Sequence, residues 1–94
     1  MDHVQNIDKF YYTYILLSKS TGNFYKGYTQ DLRKRFKEHT EGKSTYTKDR
    51  GPYKLIYYEA CLTEGDARAR EKYLKTGRGT AYIKKRLKRF LFCT

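Results

Sequence analysis

Three dense apolar segments, each closed by turn-forming residues, divide the first two thirds of the chain. From Phe10 to Leu17 nearly every residue is aromatic or aliphatic, which reads as a strand. Ser18-Lys19-Ser20-Thr21-Gly22-Asn23 is turn material. Phe24 to Tyr28 then alternates around Gly27 as a returning strand. A hairpin closing around residues 19–22 pairs Ser18 with Asn23, sets Leu16 opposite Tyr25 and sets Tyr14 opposite Gly27. Tyr14 and Tyr25 become diagonal neighbours on one face, and Gly27 leaves room beside the Tyr14 ring. A slip of one residue would move one strand's side chains to the other face.

Further along, Thr29 or Asp31 can cap a helix running to about Thr40, with Leu32 and Phe36 on its apolar side. The stretch from Glu41 to Tyr53 has no apolar period and contains Gly42, Gly51 and Pro52, so it reads as a long loop. Leu55 to Cys61 reads as a third strand. Thr63, with Asp66 three positions on, resembles a capping box built with the shorter acid, and opens a helix over about 64–75. Gly77 and Gly79 punctuate it. Thr80 then caps a third helix through about Phe90, whose apolar stripe is Ile83, Leu87, Phe90 and Leu91. The predicted order is β-β-α-β-α-α, an α+β fold with a small three-stranded antiparallel sheet flanked by helices. Residues 1–94 read as one domain, with its core over about 10–76, a basic C-terminal helix over about 80–91 and a loose polar start over 1–8.

Charge narrows the partners. Twenty-one Lys and Arg against ten Asp and Glu leave a net +11, and from Arg68 onward ten basic residues face the single acid Glu71. Such asymmetry favours a polyanion, above all nucleic acid, over a membrane surface. No run of about 18 apolar residues exists to span a bilayer. The start of the chain lacks a secretory pattern. Cys61 and Cys93 lack metal-type spacing, so the expectation is a reduced, cytoplasmic chain.

The candidate chemistry begins with Tyr25-Lys26-Gly27, followed by Arg35 and His39. Four apart on a helix, Arg35 and His39 stack on one face, and Leu32 and Phe36 turn that helix so that Arg35 flanks its buried side. Tyrosine, guanidinium and imidazole beside a glycine gap are parts suited to holding and cleaving a phosphodiester. Lys26 either adds a cation near that site or faces solvent. On the helical wheel Glu71 lies about 40° from Ala67, which with Leu74 faces the core; taken alone, Glu71 reads as the i,i+4 partner of Lys75. Thr47, Lys48 and Arg50 could follow a nucleic-acid backbone. Lys84, Lys85 and Lys88 on the last helix make a second non-specific surface, or a solvated face.

Tyr12-Thr13-Tyr14, Tyr25-Lys26-Gly27, Arg35, His39 and Glu71, in that order and spacing, resemble the GIY-YIG nuclease domain. The match covers about Phe10 to Thr76, and is similar to the small stand-alone bacterial members related to the amino-terminal domain of the excinuclease C subunit. The resemblance implies a GIY-YIG endonuclease-like fold and metal-dependent hydrolysis of DNA, on branched, nicked or otherwise unusual substrates in repair or recombination. It implies catalytic roles for Tyr14, Tyr25, Arg35, His39 and Glu71, with Glu71 holding Mg2+ or Mn2+. Tyr14 is the first choice of general base and Tyr25 the second; nearby charge from His39, Lys26 or the metal would lower the phenol's pKa, or His39 would relay its proton. The first motif reads Tyr-Thr-Tyr where the namesake has Gly-Ile-Tyr, Lys26 replaces an aliphatic residue, and no asparagine follows Asn23, although many members carry one late in the domain. A non-catalytic DNA- or RNA-binding module with the same fold is the alternative. Monomer and homodimer both remain open.

Overall fold

The computed structural model describes residues 9–44, 48 and 50–92. Strand β1 (Tyr11–Ser18) and strand β2 (Phe24–Thr29) form the predicted hairpin, with Tyr14 opposite Gly27 and Leu16 opposite Tyr25. The Ser18 amide donates to the Asn23 carbonyl at 2.9 Å and closes the turn. Gly22 at φ +79° supplies the left-handed residue that the reversal needs. Strand β3 (Tyr53–Cys61) begins two residues earlier than the apolar run suggests, and pairs with the other side of β1. The antiparallel sheet thus has the order β2-β1-β3, and its central strand is the most apolar one.

A register shift opposite Ile15 and Leu16 divides β3. Tyr53 and Leu55 consequently share the Tyr14 and Leu16 face, while Tyr57 and Glu59 share the Thr13 and Ile15 face. Each face has its own cluster. Tyr14, Leu16 and Tyr53 pack with Tyr25, Leu55, Leu32 and Phe36 beneath α1 (Leu32–Thr40). Ile15, Leu74 and Ile83 pack with Phe24, Ile56, Tyr57 and Leu87 beneath α2 (Glu64–Leu74) and α3 (Gly77–Arg86). Full burial of each Leu or Ile contributes about 1.5–3 kcal/mol, so both layers hold the sheet between them. Buried Thr13 fastens α2 further by donating its hydroxyl to the Ala67 carbonyl.

The helix ends obey local capping chemistry. The Asp31 carboxylate accepts from the Lys34 amide, and the Thr63 hydroxyl accepts from the Asp66 amide, both at 3.1 Å. The third helix departs from expectation. Thr76, not Thr80, is its cap, and both Gly77 and Gly79 lie inside its first turn. A Cβ on Gly79 would collide with the Tyr73 carbonyl and the Leu74 Cα, so this glycine permits the tight α2–α3 corner. The helix also ends at Arg86, and a short α4 (Lys88–Phe92) follows. That break rotates Phe90 out of the predicted apolar stripe, leaving it exposed beneath the Lys54 ammonium at 5.8 Å. Among the described residues no helix is long and apolar enough to cross a membrane.

Candidate active site

Strand alternation puts Tyr14 and Tyr25 on the α1 face, their ring centroids 6.2 Å apart. The Tyr14 ring lies against Gly27, where a Cβ would overlap the phenol itself. From above, α1 lowers His39 into the space between the tyrosines. Its ring stands 5.8 Å from Tyr14, 5.0 Å from Tyr25 and 6.4 Å from Tyr53. His39 is 2% exposed and Tyr14 only 1%, and the Tyr14 hydroxyl meets Nε2 of His39 at 2.8 Å. One turn earlier on α1, Arg35 is half-buried and bonded to Glu38 at 3.0 Å.

The electrostatics correct one expectation. Burial pulls His39 down to about 4, and the Arg35 guanidinium adds to that pull, so the imidazole is neutral at pH 7. Burial pushes the Tyr14 phenol above its ordinary value, against the opposing hydrogen bond from Arg35. His39 therefore supplies no positive charge to acidify Tyr14. Its Nε2 pairs with the phenol hydroxyl as a neutral group instead. Burial also works against the Arg35 charge, but hydrogen bonds with Glu38, Tyr14 and Tyr25 outweigh it and raise the guanidinium's pKa further. Arg35 is the permanent cation of this cluster.

Lys26 leaves β2 on the face opposite Tyr25, yet both residues border one opening at the sheet edge. There its ammonium donates to the Thr80 hydroxyl at 3.0 Å.

Glu71 also lies on the α2 side of the sheet, 20% exposed and bonded to Lys75 at 3.0 Å. That is the pairing its i,i+4 spacing suggests. Lys75 in turn borders the opening that Tyr25 and Lys26 line. Arg68, which shares the Glu71 cleft, stacks over Tyr28 at 4.3 Å; the Tyr28 hydroxyl is buried without a partner. Among the described residues no three His, Cys, Asp or Glu side chains gather to hold a metal. A divalent cation fits Glu71 only as a one-carboxylate site completed by water and substrate oxygens, a set that Mg2+ tolerates.

Among the other predicted contacts, Lys84, Lys85 and Lys88 are exposed on α3 and α4, and Lys48 and Arg50 are exposed in the loop. The Arg50 carbonyl accepts from Ser18 Oγ at 2.6 Å, which ties the loop to the hairpin. Thr47 and Cys93 lie outside the described residues. Sequence reasoning missed three participants. Tyr53 required the full extent of β3. Glu38 was accessible from its i+3 spacing to Arg35. Thr80, expected only as a cap, meets Lys26 across 54 positions of the chain, a pairing that no local signal marks.

The three-stranded sheet thus carries a Tyr-Tyr-Arg-His cluster on its α1 face. The pattern of the GIY-YIG catalytic domain matches residues 10–89, and the chain belongs to that family. It is 43% identical over 65 residues to the UPF0213 protein CPE1444 of Clostridium perfringens, spanning 68% of this chain and 69% of the relative. Over 66 residues it is 41% identical to the UPF0213 protein YazA of Bacillus subtilis, 69% and 66% of the two chains. The solution NMR structure of the UPF0213 protein BH0048 from Bacillus halodurans superimposes with a TM-score of 0.50 at 35% identity, covering 79% and 81%. Family membership makes nucleic acid the class of substrate.

Proposed function

We propose that the protein is a metal-dependent endonuclease that hydrolyses DNA phosphodiester bonds. The observation that carries this reading is the Tyr14–His39 hydrogen bond at 2.8 Å beside Arg35. Arg35 binds the scissile phosphate, because its fork matches two phosphate oxygens and keeps its charge. Burial is the main cause of the low His39 pKa, but that phosphate offsets the added pull of Arg35 and so raises the imidazole's basicity when substrate arrives. Substrate binding at Arg35 opens the buried Tyr14 hydroxyl to the attacking water, whose proton Tyr14 then passes to His39, and Tyr25 hydrogen-bonds the phosphate beside it. Glu71 would hold the Mg2+ or Mn2+, whose part is to neutralise charge on the phosphate oxygens. Branched or damaged DNA in repair or recombination is the substrate context this reading favours. The basic loop and the α3–α4 surface add contacts to the backbone through Lys48, Arg50, Lys84, Lys85 and Lys88.

The second reading, a nucleic-acid-binding module without turnover, is favoured by the Glu71–Lys75 pair, which occupies the carboxylate that would hold the metal. A plasmid-nicking assay divides the two. The endonuclease nicks supercoiled DNA with Mg2+ or Mn2+ and stops with chelator, and Arg35→Ala and Glu71→Ala each abolish the activity. Equal, metal-independent background in all three proteins would establish the binding module instead.

A further inference from the structure

Around the edge of β2 from the tyrosines, a cleft of about 370 Å³ is lined by Phe24, Lys26, Thr80 and Lys84. A second opening beside it, about 390 Å³, is lined by Phe24, Tyr25, Lys26 and Lys75. Three ammonium groups from β2, α3 and the end of α2 therefore converge where the motif tyrosine Tyr25 begins. Neither opening has an acidic residue in its lining. Glu71 pairs with Lys75 at 3.0 Å. Lys26 feels the crowding: burial, then Lys84 and Lys75, hold its pKa below the ordinary lysine value. Like charges gathered at a half-buried spot cost free energy that a bound anion would recover.

We propose that Lys26, Lys75, Lys84 and Thr80 form a second phosphate-binding site, which holds a backbone phosphate of the nucleic acid whose scissile linkage lies at Arg35. The inference rests on the nucleic-acid reading of the Tyr-Arg-His cluster. Lys26 is the anchor. Its bond to Thr80 Oγ1 fixes the ammonium and leaves two N–H donors for phosphate oxygens. Lys75 and Lys84 close on it from two helices. Because Tyr25 and Lys26 leave an edge strand on opposite faces and border one opening at that edge, a chain held at both sites bends over it. A flexible single strand does so at less cost than a straight duplex, which resists bending. The second site thus selects unpaired or branched nucleic acid, which a protein this small could not select by reading a long sequence.

The test is fluorescence-anisotropy titration of a labelled 20-nucleotide DNA, single-stranded and as duplex, in chelator so that no cleavage is needed. Lys26→Gln and Lys84→Gln are expected to weaken single-strand binding about three- to tenfold and to flatten the salt slope by about 0.7 for each phosphate no longer neutralised. Lys37→Gln, an equal charge change on the opposite face, should shift binding less than twofold. The Lys26 and Lys84 losses should be larger for the single strand than for the duplex. Effects no larger than that of Lys37→Gln would overturn the site, and equal losses on both probes would overturn the path around the β2 edge. Lys84 is exposed, so its variant reports even if Lys26→Gln unfolds. Absence of nicking with intact binding sinks the hydrolytic reading alone; unchanged binding by the variants with intact nicking sinks this one alone.

Discussion

Tyr14 and His39 stand 25 positions apart in the chain and share one hydrogen bond of 2.8 Å, sealed from water on both sides. Removing either partner deletes that buried bond. Tyr14→Phe should lower unfolding free energy by about 0.5–1.5 kcal/mol, the usual net worth of one hydrogen bond. The same change should reduce nicking by about 10²- to 10⁴-fold, as for loss of a proton-transfer group. Urea unfolding and initial nicking rates check the two effects separately.

His39 predicts a pH signature. Its folded pKa of about 4 lies below the unfolded value of about 6.5, so between these limits the unfolded chain binds more protons. Stability contributed by His39 is complete above about pH 6.5, falls as pH falls through that window, and is lost below about 4. The loss amounts to roughly 2–3 kcal/mol. Urea unfolding at pH 7 and pH 4.5 should show it as the difference between the native protein and His39→Gln. An identical pH dependence in both would rule out a buried neutral imidazole.

Gly27 is predicted to tolerate no side chain. A Cβ there would overlap the Tyr14 phenol, and that ring has β3 and α1 packed around it. Gly27→Ala should destabilise the domain by about 1–3 kcal/mol. It should also move the Tyr14 and His39 ring resonances in an NMR spectrum. Unmoved resonances would mean the ring has room to step aside.

Lys75 competes with any cation for Glu71. The pair is surface-accessible, with Lys75 54% exposed, and such pairs are worth about 0.2–1 kcal/mol. Lys75→Gln should therefore tighten Mn2+ binding by about two- to fivefold, read by isothermal titration without DNA. Weaker or unchanged affinity would remove Glu71 from the metal's coordination.

Much of this architecture was legible in the chain itself. Period-two alternation, the turn residues 18–23 and the hairpin register are local matters, so Tyr14, Tyr25 and Gly27 were assigned to one face without coordinates. Arg35 and His39 followed from i,i+4 geometry and Thr63 from capping, while the first cap was narrowed to Thr29 or Asp31, of which Asp31 serves. The third helix misled because glycine usually ends helices; only its packing against α2 reveals why Gly79 must be small. The protonation state of His39 was illegible for a related reason. Burial by Tyr14, Tyr25 and Tyr53 brings three separate strands to one imidazole, and desolvation depends on all of them.

The chain alone determined which side chains alternate, which stack along a helix, and that its charge suits a polyanion, because each depends on neighbours a few bonds away. Tertiary structure decided that α1 and α2 occupy opposite faces, that His39 is neutral, and that Lys26 meets Thr80. Those outcomes arise from packing and desolvation summed over distant segments, and both quantities exist only once the sheet and its two helical layers have closed.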